Sequence, residues 1–539
     1  MKKRLALLLV LCLLASAVLT ACGGSAAKKE KVLTVASPYG IGSLQPWISN
    51  SDGDRYVLSN IYEALMESNT GAKDGVDYAA VLAESWEYTD DLTLVVHLRQ
   101  NAYWQTQDND YFKTKTQVKA QDVKDVFDFD MDEANASTNY GDLVSLLDSV
   151  EVVDDFTIKF VTKTPTALLL KELSDVLIFP VKAVKDGYDL TKHPIGTGAY
   201  VWSDYKVDES VTLVPNKEAR VKPNLDKLIF KIVPDKSVAA IALQNGEVDI
   251  VPQILTTDMQ AVAAKDNLVL LPNSVGWYRY IAFNCSNEMF QDVKVRTALS
   301  ICVDWEAIVD SIFGNDYGAT LAVCSYGGGV PLEFEGSDIE TWKANYEFSP
   351  EKAQSLLEEA GWKKNSSGIY EKGGKTLSFA IKTPANDNSR MKMGDMAVTY
   401  MKNIGVDATA QPTEWATMTA DIKAGNTEMF CMGGGSVIGG MNMLFHSEGM
   451  QGTAHNNFNV DKDLDALLDK GYADVHDDTR IATLKEASLK ALKNKVHAGG
   501  YFEYIQVGMN KRVVDFDKSP TLWYGMCNEY RNVDVQDSK

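Results

Sequence analysis

The stretch from Tyr78 to Trp104, YAAVLAESWEYTDDLTLVVHLRQNAYW, limits the fold more than any other, because its apolar residues recur at every second position. Trp86 and Tyr88 share one face of a strand, and Thr89-Asp90-Asp91 supplies the turn. Leu92, Leu94, Val96 and Leu98 then alternate with Thr93, Val95, His97 and Arg99. Period two with one apolar face predicts a half-buried hairpin. Such a hairpin is marginal alone and must pack on further elements.

Those elements alternate. Lys31 to Ser37 reads as a strand, followed by a loop from Pro38 to Trp47 and a helical run containing Val57, Leu58, Ile61, Tyr62 and Leu65. A helix opens at Val118–Val123, with Val123, Val126 and Phe127 on one face. Asp292 and Asp304 are placed to N-cap two helices, the second stopping at Gly314. Ser349-Pro350 opens another that Gly361 ends, and Gly246 closes a helix between two strands. Leu377 to Lys382 is a strand, Met396 to Met401 part of a helix, and Val406 a further strand start. This order of elements is α/β.

At the N-terminus, Lys2-Lys3-Arg4 precede an apolar run from Leu5 to Leu19 that ends in Thr20-Ala21-Cys22-Gly23-Gly24. Residues 1–21 read as a secretory signal, too short to span a bilayer comfortably. Leu19-Thr20-Ala21-Cys22 resembles a bacterial lipobox, which makes Cys22 the lipid-attachment residue and 22–30 an anchor and polar tether. The formal charge of −21 argues against a nucleic-acid partner. Cys285, Cys302, Cys324, Cys431 and Cys527 are odd in number and widely spaced, without CxxC or Cys/His metal spacing, so their redox state stays open.

Several motifs, in order, resemble those of the family 5 solute-binding proteins of ABC importers. They are Leu82-Ala83-Glu84-Ser85-Trp86-Glu87, His97-Leu98-Arg99 with Trp104, Ile61-Tyr62-Glu63-Ala64-Leu65, and Pro194-Ile195-Gly196-Thr197-Gly198-Ala199-Tyr200. Leu225-Asp226-Lys227-Leu228-Ile229-Phe230, Ala242 to Ile250, Trp277 to Asn284 and Ser349 to Trp362 follow at the family's intervals. The resemblance implies a periplasmic-binding-protein-like fold of type II, of the large three-domain cluster, with two lobes around a cleft joined by a hinge. It divides the chain into domain I (31–66, 194–275 and 502–539), domain II (67–193) and domain III (276–501). It also implies an extracytoplasmic lipoprotein, a monomer on the outer face of the cell membrane or in a periplasm, that hands a small-molecule or peptide ligand to ABC permease subunits.

Enzyme motifs are missing: no GxSxG, HExxH, P-loop or dinucleotide fingerprint occurs. Cys431 with His446 as nucleophile and base, and His446 with His455 as metal ligands, are weaker readings than core and loop residues. We therefore expect no catalytic group, metal or cofactor. The competing classes are a secreted hydrolase using a carboxylate pair, and a sensor or adhesin on the receptor fold. By the resemblance, ligand contacts fall on Ser37 and Tyr39 beside the first strand, on Trp104, Trp277, Tyr280 and Trp415, and on the loop residues Gly434, Gly435, Ser436 and Asn442. Trp523 offers one more flat face. Peptide-binding members place an aspartate in that loop to pair with the ligand's α-ammonium. Here no Asp or Glu lies between Glu428 and Glu448. Either another acid reaches the site, or the ligand has no ammonium there. An oligopeptide is the first expectation, with an oligosaccharide or a metal complex as the alternative.

Overall fold

The computed structural model describes residues 30–48, 52–69, 77–107, 109–314, 319–321, 347–434, 440–518, 521–522 and 527–536, with the side chains of 52, 68–69, 77, 272–277, 320–321, 477, 504–505, 518, 521–522 and 527–528 left out. Cys22, Cys324, Trp523, Gly435 and Ser436 lie outside these residues, as do the side chains of Trp277 and Cys527.

The hairpin forms from Ala83–Asp90 and Thr93–Leu98, so the first strand runs two residues further than expected and the turn falls on Asp91-Leu92. Leu94, Val96 and Leu98 are buried, while Trp86 and Tyr88 are half-buried. Thr157–Thr162 and Leu147–Asp154 extend it to a four-stranded antiparallel sheet. The helix Ala120–Asp130 packs on it through Val123, Val126 and Phe127, all fully buried.

An eleven-stranded sheet runs through much of the rest of the described chain, beside several two- and three-stranded ones. At one end, Val32–Ser37 lies parallel to both Lys227–Ile232 and Ile250–Ile254. At the other, Ser378–Pro384 lies parallel to Asp407–Thr413 and to Met429–Gly434. Two long antiparallel strands, Leu268–Phe283 and His497–Asn510, join the two ends. Their ladder pairs Leu268 with Asn510 and Ala282 with His497, and is irregular between Pro272 and Gly276.

The apolar cores follow this plan. One cluster takes residues from Leu33 to Phe230 together with Ile250 and Val507 to Val535, so the expected domains I and II share a core without a break. A smaller cluster around Ala36, Leu243 and Val262 covers the other face of the first sheet end. Two further clusters cover the two faces of the second end and draw, apart from Ala167 and its neighbour Leu168, on residues 278–502.

Most punctuation residues act as read, although Ser349 opens Pro350–Glu359 without a side-chain cap bond. Asp292 and Asp304 accept N–H bonds from Lys294 and Ala307 at the starts of Val293–Ile301 and Trp305–Phe313. Gly246 caps Lys236–Asn245 in the left-handed region, at φ 76°. Gly196 and Gly198 are required by close approach: a β-carbon would lie 1.9 Å from the Ile61 carbonyl oxygen at 196 and 2.7 Å from that of Asn60 at 198. The helix before them is shorter than expected, Asp52–Ile61, so Tyr62 and Leu65 belong to the following segment.

Two partly buried ion networks fasten the C-terminal segment. Arg512 grips Asp249 with Nε–Oδ1 at 2.6 Å and Nη2–Oδ2 at 2.7 Å, and donates to the Val32 carbonyl at 2.8 Å, while Asp249 also accepts Thr34 N–H at 3.0 Å. Arg531 Nη2 lies 2.6 Å from Glu67, and its Nε 3.0 Å from Glu529. Burial pushes Glu529 up to about 8, against the pull of Arg531.

Candidate functional site

Strand direction locates the cleft. Ile250–Ile254 runs antiparallel to His497–Asn510, with Ile250 opposite Met509 and Ile254 opposite Gln506. Met429–Gly434 runs antiparallel to Leu268–Phe283, from Met429 opposite Phe283 to Gly434 opposite Tyr278. Both therefore point their carboxyl ends at the irregular Pro272–Gly276 segment. The parallel strands beside them do the same, so Ser37 and Ile232 on one lobe and Pro384, Thr413 and Gly434 on the other stand at facing edges. In open α/β sheets, ligands bind outside the carboxyl ends of the strands.

On the first edge, Ser37 is buried, and its hydroxyl donates to the Tyr39 carbonyl at 2.7 Å to brace the chain as it leaves the strand. Asp54 holds the loop onward by accepting N–H bonds from Gly42 and Ser43 at 2.7 and 2.9 Å. Tyr39 is 40% exposed. Ser37 thus shapes the rim, and Tyr39 presents a ring.

On the second edge, two helices begin where their strands end. Asp387 caps Asn388–Ile404, accepting from the N–H of Arg390 at 2.9 Å and from Ser389 Oγ at 3.1 Å on Oδ1, and from Arg390 Nε at 2.8 Å on Oδ2. Burial opposes this charge, but Arg390, and behind it Arg279, hold the carboxyl below its ordinary range. Glu414 caps Trp415–Ala424 through N–H bonds from Ala416 and Thr417 at 2.9 and 3.2 Å. The Arg390 guanidinium lies 5.4 Å from the centre of the Trp415 ring, which is 42% exposed, a cation–π distance. Arg279 Nε donates to Glu503 Oε2 at 2.8 Å across the two joining strands. The Arg279 side chain lies against Gly433, where a β-carbon would approach its Nη1 to 2.6 Å.

The opposite face of that strand end carries a second group. Gly434 faces Met443 and His455, and the His455 Nδ1 is 2.6 Å from the Tyr280 hydroxyl. Burial pulls His455 down to about 4, so it is neutral at pH 7. Asn442, in the short helix Gly440–Phe445, keeps a buried Oδ1 without a hydrogen-bond partner among the described residues.

Two of the expected stacking rings are core residues instead. Trp104 is 1% exposed, with Phe112 parallel to it at 6.0 Å, because it alternates inward next to the hairpin. Tyr280 is fully buried between Tyr278 and His497, whose ring stacks on it at 4.0 Å. It reaches the site only through its hydroxyl and His455. Trp415, Gly434 and Asn442 stand on the second edge, with Ser37 and Tyr39 across from them. Cys431 is buried in the core, its thiol pushed well up by burial, and His446 lies 3.2 Å from Asp469. Cys285, Cys302 and Cys431 are free thiols. Among the described residues, an open cavity of about 680 Å³ adjoins the first-edge loop at Ile41–Gln45, with Thr191–His193 and Trp202–Tyr205, and another of about 600 Å³ lies away from both edges around Met289, Trp362 and Lys375.

Sequence reasoning missed the charged group Arg279, Asp387, Arg390 and Glu503. Asp387-Asn388-Ser389-Arg390 carried a signal, an N-cap acid with an arginine one turn in. Glu503 carried none.

Residues 77–452 match the bacterial extracellular solute-binding proteins, family 5 Middle. The chain is 28% identical over 306 residues to the oligopeptide-binding protein AppA of Bacillus subtilis, an alignment spanning 54% of each chain. It is 29% identical over 437 residues to the dipeptide-binding protein of Escherichia coli, spanning 76% of this chain and 77% of that one. The solved structure of HbpA2 from Haemophilus parasuis superposes with a TM-score of 0.79 at 23% identity, covering 94% of this chain and all of the other, and so shares its fold. Facing carboxyl edges across a two-strand connection, and a match through most of the chain, lead to one conclusion: this protein belongs to the family 5 bacterial extracellular solute-binding proteins.

Proposed function

We propose that the chain is the receptor of an ABC importer, exported, held by lipid on Cys22 at the outer face of the membrane, and acting as a monomer. It captures a short peptide between domains I and III, divided as the sequence suggests, and delivers it to the permease. The observation that carries this reading is the second edge: Arg390, held by Asp387 and laid on Trp415, faces the cleft beside an Arg279–Glu503 pair. Charges of both signs with one exposed aromatic suit a small zwitterion that loses its water as the lobes close. The names of two relatives, an oligopeptide- and a dipeptide-binding protein, support the peptide class.

Closure bends the Pro272–Gly276 irregularity, because, of the two interruptions of the ladder, there and at Ile281–Ala282, it is the one between the facing edges. The test is a thermal-shift screen of the mature chain against di- to pentapeptides, oligosaccharides and metal chelates. Binding to the folded state alone raises the midpoint with ligand excess. Peptides should shift it and Trp415→Ala should remove most of the shift; a response to sugars or chelates alone would overturn the peptide class and keep the receptor.

A further inference from the structure

The glycine loop after Gly434 offers no acid, yet a peptide's ammonium taken from water without a partner is costly. Among the described residues, Asp387 and Glu414 stand on the second edge and Glu503 on the joining strand beside it. Asp387 has both oxygens engaged, by Arg390, Ser389 and the helix N-terminus. Glu414 is committed to the N–H groups of Ala416 and Thr417. Glu503 differs. Its Oε2 takes Arg279 Nε at 2.8 Å, its Oε1 has no hydrogen-bond partner among the described residues, and its side chain is 23% exposed.

Its place in the ladder adds a second reason. Glu503 pairs in register with Trp277, one rung from the irregular Pro272–Gly276 segment, and with Ala319 on its other side. Arg279 ties it toward Gly433, the strand end from which the glycine loop departs. A glycine at 433 leaves the room that the Arg279 side chain fills, which sets the pair beside the carboxyl end of Met429–Gly434.

We propose that Glu503 is the ammonium acceptor of this receptor, taking over the task of a loop acid from the neighbouring strand, with Arg279 as its positioning residue. The proposal rests on the peptide reading above. It narrows the ligand to peptides with a free amino end, bound with that end against the joining strands. Ligand contact is then made where the lobes bend.

Isothermal titration of the mature chain with a panel of di- to pentapeptides, each in free and N-acetylated form, tests this. In the wild type, acetylation should weaken binding at least about tenfold. Glu503→Gln should bring free peptides down to the level of acetylated ones and leave the latter within about threefold. Glu503→Asp, which keeps the charge, should retain part of the preference and guards against a folding artefact. Equal binding of both forms by the wild type, or an undiminished preference in Glu503→Gln, overturns the assignment alone. No response to any peptide in either form overturns the peptide reading and this assignment together.

Discussion

Gly433 and Gly434 are adjacent in one strand and face opposite sides of the sheet, so one substitution probes two environments. A methyl group at 433 would lie 2.6 Å from Arg279 Nη1, 2.8 Å from its Cδ and 2.9 Å from the Tyr278 carbonyl oxygen. At 434 it meets nothing nearer than Met443 Cε at 3.7 Å and His455 Cε1 at 3.8 Å, ordinary contact distances. The guanidinium can swing aside, but the carbonyl belongs to the paired strand and cannot. Overpacking of this kind costs about 1–3 kcal/mol, and losing the partly exposed Arg279–Glu503 pair adds about 0.2–1 kcal/mol. Set against the roughly 0.4–1 kcal/mol that losing a glycine contributes through the unfolded chain, Gly433→Ala should therefore destabilise by a net of about 0.2–3.6 kcal/mol. Neither glycine has a positive φ. Gly434→Ala therefore carries no backbone strain and should stabilise by about 0.4–1 kcal/mol through the unfolded chain. Urea unfolding followed by tryptophan fluorescence, analysed at a common slope, separates the two. Equal costs, or the larger cost at 434, would refute the packing argument.

Arg512→Leu leaves the Asp249 carboxylate buried beside a single N–H donor and should cost about 3–5 kcal/mol; under 1 kcal/mol in the same urea assay would show that the pair relaxes to solvent. Glu529, raised from 4.5 to about 8, keeps in the folded state a proton that the unfolded chain gives up. The folded chain then binds more protons, so stability falls as pH rises from about 4.5 towards 8, by at most about 1.4 kcal/mol per pH unit. Glu529→Gln should flatten that slope in unfolding midpoints taken across the window, and an unchanged slope would assign it to another group. Cys22→Ala should move the protein from the membrane fraction to the medium or periplasm, whereas continued incorporation of labelled fatty acid would place the lipid elsewhere.

Local order was legible where it rests on short-range physics. The period-two run at Leu94, Val96 and Leu98, the aspartate caps at 292 and 304, and the left-handed Gly246 follow from side-chain spacing and backbone sterics alone. What excludes a side chain at Gly196 and Gly198, the backbone of residues 60–62, is distant in sequence and leaves no local trace. The site was legible only in part. Trp104 and Tyr280 were read as cleft rings because an aromatic residue suits both a core and a ligand, and only burial separates the two. The Arg279–Glu503 pair joins residues 224 apart, and local pattern holds no trace of such a contact.

The chain enters the second lobe and returns from it through neighbouring rungs of one ladder, Gly276 with Tyr504 and Trp277 with Glu503. Everything between those rungs is thus an insertion whose two ends lie about one interstrand spacing, ~5 Å, apart. A segment with adjoining ends can be cut out as one continuous gene fragment, or closed into a ring by a short linker. Its host needs no more than a two-residue turn to seal the gap. The second lobe is therefore one continuous stretch of chain with adjoining ends, stitched into the sheet of its host.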